Sequence, residues 1–125
     1  MAATQLPAWR VILVDDDRED YLLTRSMLSN AQGHPIALEW AQDCGAGRKM
    51  LSTNRYDAVL VDYELGRENG IQLIREFTAQ AYPAPFILYP SRGSYAVDIE
   101  AIQAGATLCL PKTEATPLLL ERSLR

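Results

Sequence analysis

The stretch YDAVLVDY, residues 56–63, decides how this chain folds. Its centre, Ala58 to Val61, is an unbroken apolar run of strand length that stops at a carboxylate, Asp62. Four further runs rich in branched or aromatic apolar residues lie on either side of it: Trp9 to Val14, Ile36 to Trp40, Phe86 to Tyr89, and Leu108 to Leu110. Between them the apolar residues recur at helical spacing, as in Leu23 with Met27, Ile71 with Ile74 and Phe77, and Val97 with Ala101 and Ala104, giving each helix one apolar face. Asp17, Asn69 and Ser94 stand where N-caps belong, and Gly105 follows the fourth helix as its C′ residue. The second helix is the weakest of the five, because Gly45 and Gly47 each cost about 1 kcal/mol relative to Ala in a helix interior.

Strand followed by helix, five times over, is the signature of an α/β fold: a doubly wound, mostly parallel five-stranded sheet with right-handed crossovers and helices on both faces. A length of 125 residues suits one domain spanning 1–125, since a chain of this size buries roughly two thirds of its unfolded surface around a single core. The balance of 48% apolar and 22% charged residues excludes a disordered chain and a fibrous repeat. A net charge of −4 with scattered basic residues argues against nucleic-acid binding, which needs clustered Lys and Arg.

Cys44 and Cys109 lie far apart with no ligand-spaced His, so neither a zinc site nor a disulfide is expected. No apolar run approaches the roughly 18 residues that span a bilayer, and no signal peptide opens the chain, which points to the cytoplasm and away from a membrane. The last helix, Pro117 to Arg125, ends without a Gly or Asn cap, as if the natural chain ran on.

In a doubly wound sheet, ligands bind beyond the carboxyl ends of the strands, where the strand order reverses. The first strand ends in Asp15, Asp16 and Asp17, and the third ends in Asp62. Adjacent strands lie about 4.8 Å apart, so these acids repel one another unless a cation neutralises them. Mg²⁺ suits such a cluster: it prefers hard oxygen ligands and typically takes one or two carboxylates plus a phosphate oxygen. Helix capping also explains an acid at this place, but capping uses one acid, not three. Lys112, after the fifth strand, would reach the same rim and hold a phosphoryl oxygen as a point charge.

Taken together, Val14-Asp15-Asp16-Asp17, the stretch 56–63, Asn69-Gly70, Ala104-Gly105-Ala106 and Pro111-Lys112 resemble the response-regulator receiver domains of two-component signalling. The resemblance covers nearly the whole chain and implies the flavodoxin-like strand order 2-1-3-4-5. It implies that Asp62 is the phosphoacceptor, that Asp15 and Asp16 bind Mg²⁺ with Asp62 and the backbone carbonyl of Glu64, and that Lys112 contacts the phosphoryl group. The donor would be a sensor histidine kinase or a histidine phosphotransfer protein, and the domain would catalyse only its own phosphorylation and dephosphorylation. Receivers of this kind commonly pair through the face formed by helix 4, strand 5 and helix 5. The stretches 22–25 and 118–123 look most like receivers associated with kinases that carry sensory PAS domains.

The sequence departs from the family pattern at its switch. The Ser or Thr expected at the end of the fourth strand falls at Pro90, which has neither a hydroxyl nor a backbone N–H. Ser91 is one residue late, which in a continuing strand would turn its side chain to the other face, although a bend there would let it contact the phosphoryl group. The aromatic expected on the fifth strand falls at Cys109. Loss of a hydrogen bond to a charged group, about 1.5–3 kcal/mol, would lower the active population roughly 10- to 100-fold. The X-Pro bonds beside the site, Tyr89-Pro90 and Leu110-Pro111, are expected to be trans.

His34, next to Pro35, reads as a loop-packing residue, Trp9 and Trp40 as strand-end or core-edge residues, Tyr63 as a half-exposed loop aromatic, and Tyr95 as part of a partner surface. Two alternatives stand beside the phosphoacceptor. One is a receiver-shaped interaction module that works without phosphorylation, suggested by Pro90 and Cys109. The other is a haloacid-dehalogenase-like phosphatase, suggested by Asp15-x-Asp17, Ser91 and Lys112, though no acid follows Lys112 at a further strand end and no cap domain fits.

Overall fold

A computed structural model describes residues 7–30 and 33–124 of the chain. Its sheet has five parallel strands, β1 (Trp9–Val14), β2 (Ile36–Ala41), β3 (Ala58–Val61), β4 (Phe86–Leu88) and β5 (Leu108–Cys109), in the order β2-β1-β3-β4-β5. Five helices alternate with them: α1 (Arg18–Asn30), α2 (Cys44–Thr53), α3 (Gly70–Ala79), α4 (Tyr95–Ala104) and α5 (Pro117–Ser123). This is the doubly wound architecture that the alternation of runs implies.

The central strands are apolar throughout because both faces of the sheet are covered. Alternate residues of a strand point to opposite faces, and a parallel sheet buries both. Ile12, Val14, Val59, Val61 and Leu88 face one core with Leu73, Ile74, Phe77 and Ala101 of α3 and α4. Val11, Leu13, Leu60 and Ile87 face the other core with Leu28 of α1 and Leu120 of α5. All four residues of β3 are fully buried, so the apolar run that stops at Asp62 is also the centre of the molecule.

The expected caps are in place. Asp17 Oδ1 accepts from the N–H of Glu19, Asn69 Oδ1 from Gln72, and Ser94 Oγ from Val97. Gly105 ends α4 with φ 113°, in the left-handed region. The glycine-weakened second helix forms as well, capped by Asp43, whose Oδ1 accepts from Ala46 N–H at 2.7 Å. Gly47 pays back its helix penalty in packing: a Cβ there would meet Val14 Cγ2 at 3.2 Å and Leu73 Cδ2 at 3.4 Å, so its absence lets α2 lie close against the sheet.

Three details differ from the sequence reading. On α1 the buried positions are Thr24 and Leu28, whereas Leu23 is 61% exposed. The register is turned by one residue because the Thr24 hydroxyl finds a buried partner, the Tyr89 hydroxyl 3.0 Å away, so a polar residue takes a core seat. Strand β2 runs one residue further, through Ala41, and β4 and β5 stop one residue sooner. Even so, Tyr89 N–H donates to Val61 O and Leu110 N–H to Leu88 O, carrying the ladder past both formal ends. The last helix runs only to Ser123, and Arg125 lies outside the described residues.

No peptide bond among the described residues is cis, so Tyr89-Pro90 and Leu110-Pro111 are trans. No described helix is long and apolar enough to cross a membrane.

Candidate functional site

The adjacent tips of β1 and β3 bring the acids together. The Asp15 N–H donates to Ala41 O at 3.0 Å, and the Asp62 N–H donates to Val14 O at 2.9 Å, so both acids continue the ladder by one residue. Asp15 is fully buried and Asp62 is 5% exposed. Each is pinned by a backbone donor: Asp15 Oδ1 accepts from Asp17 N–H at 3.0 Å, and Asp62 Oδ1 from Tyr63 N–H at 2.8 Å. Asp16 is exposed, yet one carboxylate oxygen from each of Asp15, Asp16 and Asp62 lies within 4.8 Å of the other two. Asp17 stays out of the cluster, since its carboxylate caps α1.

Lys112 comes in from the turn after β5. Its backbone N–H donates to the carbonyl of Pro90 at 2.7 Å, which ties the end of β5 to the end of β4. Its Nζ lies 2.7 Å from Asp15 Oδ2, 2.8 Å from Asp20 Oδ2 and 3.3 Å from Asp62 Oδ2. The contact with Asp20 is a hydrogen bond, and the contact with the fully buried Asp15 is an ion pair at the shortest of the three distances. One ammonium is therefore shared among three carboxylates, and a fourth, Asp16, stands beside them.

The charge imbalance shows in the proton affinities. Burial pushes Asp62 up to about 6; Lys112 opposes the shift and the negative charge of Asp15 adds to it. Burial also raises Asp15, although Lys112 and the Asp17 N–H hold it back. Burial alone would lower Lys112, but its bonds to Asp15 and Asp20 and the charge of Asp62 reverse this and raise it, so it is a fixed cation.

An all-oxygen donor set of clustered carboxylates, with more negative charge than the one ammonium among them offsets, fits a hard divalent cation.

The loop after β3 is folded tightly against the site. Gly70 N–H donates to Tyr63 O at 2.8 Å, and a Cβ on Gly70 would lie 2.0 Å from the Asp62 carbonyl oxygen, so only glycine allows this approach. Glu64 pairs with Asn69 in a two-residue antiparallel ladder and is exposed. Tyr63 is half-buried, and its hydroxyl donates to Glu100 Oε1 of α4 at 3.2 Å. Beside Asp62 opens a cavity of about 330 Å³ lined by Tyr63, Glu64, Pro90, Ser91 and Arg92.

At the switch positions Pro90 is buried, and Ser91 is exposed on the wall of that cavity. Cys109 is half-buried, with its thiol pushed up to about 12 by burial and by the neighbouring carboxylate of Asp98 on α4. The remaining singled-out residues lie apart from the acids. His34 Nε2 is 2.6 Å from Pro7 O and its ring stacks on Trp9 at 4.2 Å, a loop-packing role. Tyr95 is 83% exposed.

Two supporting groups escaped the sequence reading. Trp40 Nε1 donates to the Asp15 carbonyl at 2.7 Å while its ring stacks on Tyr21 of α1 at 4.6 Å, so a core-edge residue also buttresses the site. Asp20 reaches Lys112 across 92 positions of sequence. In one dimension an acid in the first turn of a helix signals only a favourable dipole contact.

A family model described as the response regulator receiver domain matches residues 11–123. The response regulator MprA of Mycobacterium sp. (strain KMS) is 29% identical over 113 residues, 90% of this chain and 48% of that one. The protein RcaC of Microchaete diplosiphon is 28% identical over 97 residues, 78% of this chain and 14% of that one. The chain thus spans about half the length of MprA, or less in the case of RcaC. Among solved structures, the CheY-like receiver domain protein of Methanospirillum hungatei JF-1 superposes with a TM-score of 0.80 at 21% identity, covering 94% of this chain and 91% of that one. The receiver domain of the Francisella response regulator 1452 gives 0.80 at 23% identity over 91% and 92%. At these identities the two structures bear on the fold alone.

Proposed function

The chain belongs to the response regulator receiver domain family, and from that premise we propose that Asp62 accepts a phosphoryl group from a histidine kinase or histidine phosphotransfer protein. The observation that carries this reading is the convergence of Asp15, Asp16 and Asp62 within 4.8 Å at two adjacent strand tips, with the Lys112 ammonium 3.3 Å from Asp62.

In the transfer an Asp62 carboxylate oxygen attacks phosphorus, a P–O bond forms, and the P–N bond of the donor phosphohistidine breaks. The leaving imidazole keeps the electron pair and takes up a proton. Asp62 is pinned for this by the Tyr63 N–H, and the Lys112 cation stands where the negative charge of the incoming oxygens would gather. Asp15, Asp16 and Asp62, with the Glu64 carbonyl as a further oxygen, would hold Mg²⁺, which when bound neutralises charge on the transferred group. The cavity beside Asp62 gives the group room, and Ser91 on its wall offers a hydroxyl. Incubation with acetyl phosphate and Mg²⁺ should add one phosphoryl mass by intact-protein mass spectrometry, and Asp62→Asn should add none. An unchanged mass with every small phosphodonor tried would refute the proposal.

A second reading is favoured by the switch positions. Buried Pro90 has no hydroxyl to follow a phosphoryl group and Cys109 is no aromatic, so a partner-binding module independent of phosphorylation also suits this chain. On that reading beryllofluoride, a phosphoryl mimic, leaves affinity for the partner kinase unchanged. Exposed Tyr95, Ile99 and Ile102 of α4, Leu108 of β5 and Leu118 of α5 suit self-association through the α4-β5-α5 face, which sedimentation across a concentration series tests.

A further inference from the structure

Lys112 is held from a direction that the phosphoacceptor site does not require. Asp20 sits in the first turn of α1, and its Oδ2 accepts a hydrogen bond from the Lys112 ammonium at 2.8 Å. Asp62 is the farthest of the three acids from that ammonium, at 3.3 Å against 2.7 Å for Asp15. The ammonium also lies 5.6 Å from the ring of Tyr89, whose hydroxyl meets Thr24 one helical turn further along α1. The cation is therefore drawn toward α1 as well as toward the phosphoacceptor.

We propose that Asp20 is a positioning residue that competes with Asp62 for Lys112 and so sets how readily the site takes up a phosphoryl group. The inference rests on the reading of Asp62 given above. A transferred phosphoryl group brings more negative charge to Asp62 than its carboxylate carried, which shifts the balance and draws Lys112 away from Asp20. Asp20 opposes uptake twice, by holding the cation back and by adding its own negative charge to the rim. With Pro90 in the hydroxyl position, the break between Lys112 and Asp20 also gives the site a mechanical link to α1 that does not depend on a Ser or Thr.

The test compares wild type, Asp20→Asn and Glu19→Gln at saturating Mg²⁺, with beryllofluoride as the ligand and Trp40 fluorescence as the signal, in a Trp9→Phe background. Glu19 is an exposed acid in the same helical turn, and the ion pairs of Lys112 run to Asp15, Asp20 and Asp62, so its variant removes an equal charge without touching the pair. Asp20→Asn should bind beryllofluoride more tightly and gain phosphoryl mass faster from acetyl phosphate, each by roughly 2- to 5-fold, the range of a partly exposed ion pair. Glu19→Gln should match wild type, and Asp20→Glu should restore the wild-type values.

Equal affinities in wild type and Asp20→Asn overturn the proposal, as does an equal gain in Glu19→Gln, which would mark a general effect of charge on α1. A wild type that neither binds beryllofluoride nor gains phosphoryl mass instead refutes the reading of Asp62 on which the proposal stands.

Discussion

Asp62 and Lys112 carry opposite liabilities at the scale of single residues. The pKa of Asp62 in the folded protein, about 6, lies above the ordinary value of 3.8, so the folded chain holds this proton over a pH range in which the unfolded chain has lost it. The Asp62 contribution to the stability of the metal-free protein therefore falls as pH rises from about 4 through about 6, and Asp62→Asn should flatten the slope in that range and raise stability at pH 7 by about 1–3 kcal/mol. Urea unfolding in EDTA across the range measures both. Lys112→Met should act the other way, costing about 3–5 kcal/mol, because it strands the fully buried Asp15 without its cation. Asp15, Asp16, Asp62 and Lys112 were legible in the sequence because each follows a strand, and strand tips at a reversal of order share one place. Asp20 was not legible, since its partner is fixed only by how α1 docks.

Glycines set the fit between elements. A Cβ on Gly70 would strike the backbone oxygen of Asp62 at 2.0 Å and Val61 Cγ1 at 2.6 Å, and neither belongs to a flexible side chain that can swing aside. Gly70→Ala should therefore destabilise by about 1–3 kcal/mol or more and displace the phosphoacceptor with it. Gly45→Ala is the contrasting case, because its Cβ would meet only Asp43 Oδ1 at 3.4 Å. Helix propensity then favours it by up to about 1 kcal/mol. Chemical denaturation of the pair should give midpoint shifts of opposite sign. At this scale α3 and α4 were legible, because Ile71, Ile74 and Phe77, and Ala101 with Ala104, are simple apolar stripes. The face of α1 was not, because its buried stripe contains Thr24, and only Tyr89 from a distant strand makes that hydroxyl acceptable in a core.

Folding and ion binding are linked across the whole molecule. The strand order brings the acids together at a cost in repulsion, so a divalent cation that binds only the folded chain should stabilise it, by about 2.7 kcal/mol at a concentration 100 times its Kd. Protons compete for the same oxygens, so the rise in Tm with Mg²⁺ should grow as pH passes upward through about 6 and shrink sharply in Asp15→Asn. The fold itself was legible from the alternation of five runs, and the site followed from it because a doubly wound sheet collects its chemistry at one edge. On the proposed function Asp62, and no other side chain, forms the covalent bond to phosphorus. Borohydride reduction after treatment with acetyl phosphate and Mg²⁺, followed by peptide mass spectrometry, reads this directly, since an aspartyl phosphate is reduced to homoserine. The expected result is homoserine at position 62 alone; reduction at another acid, or none in a protein that has gained phosphoryl mass, would contradict it.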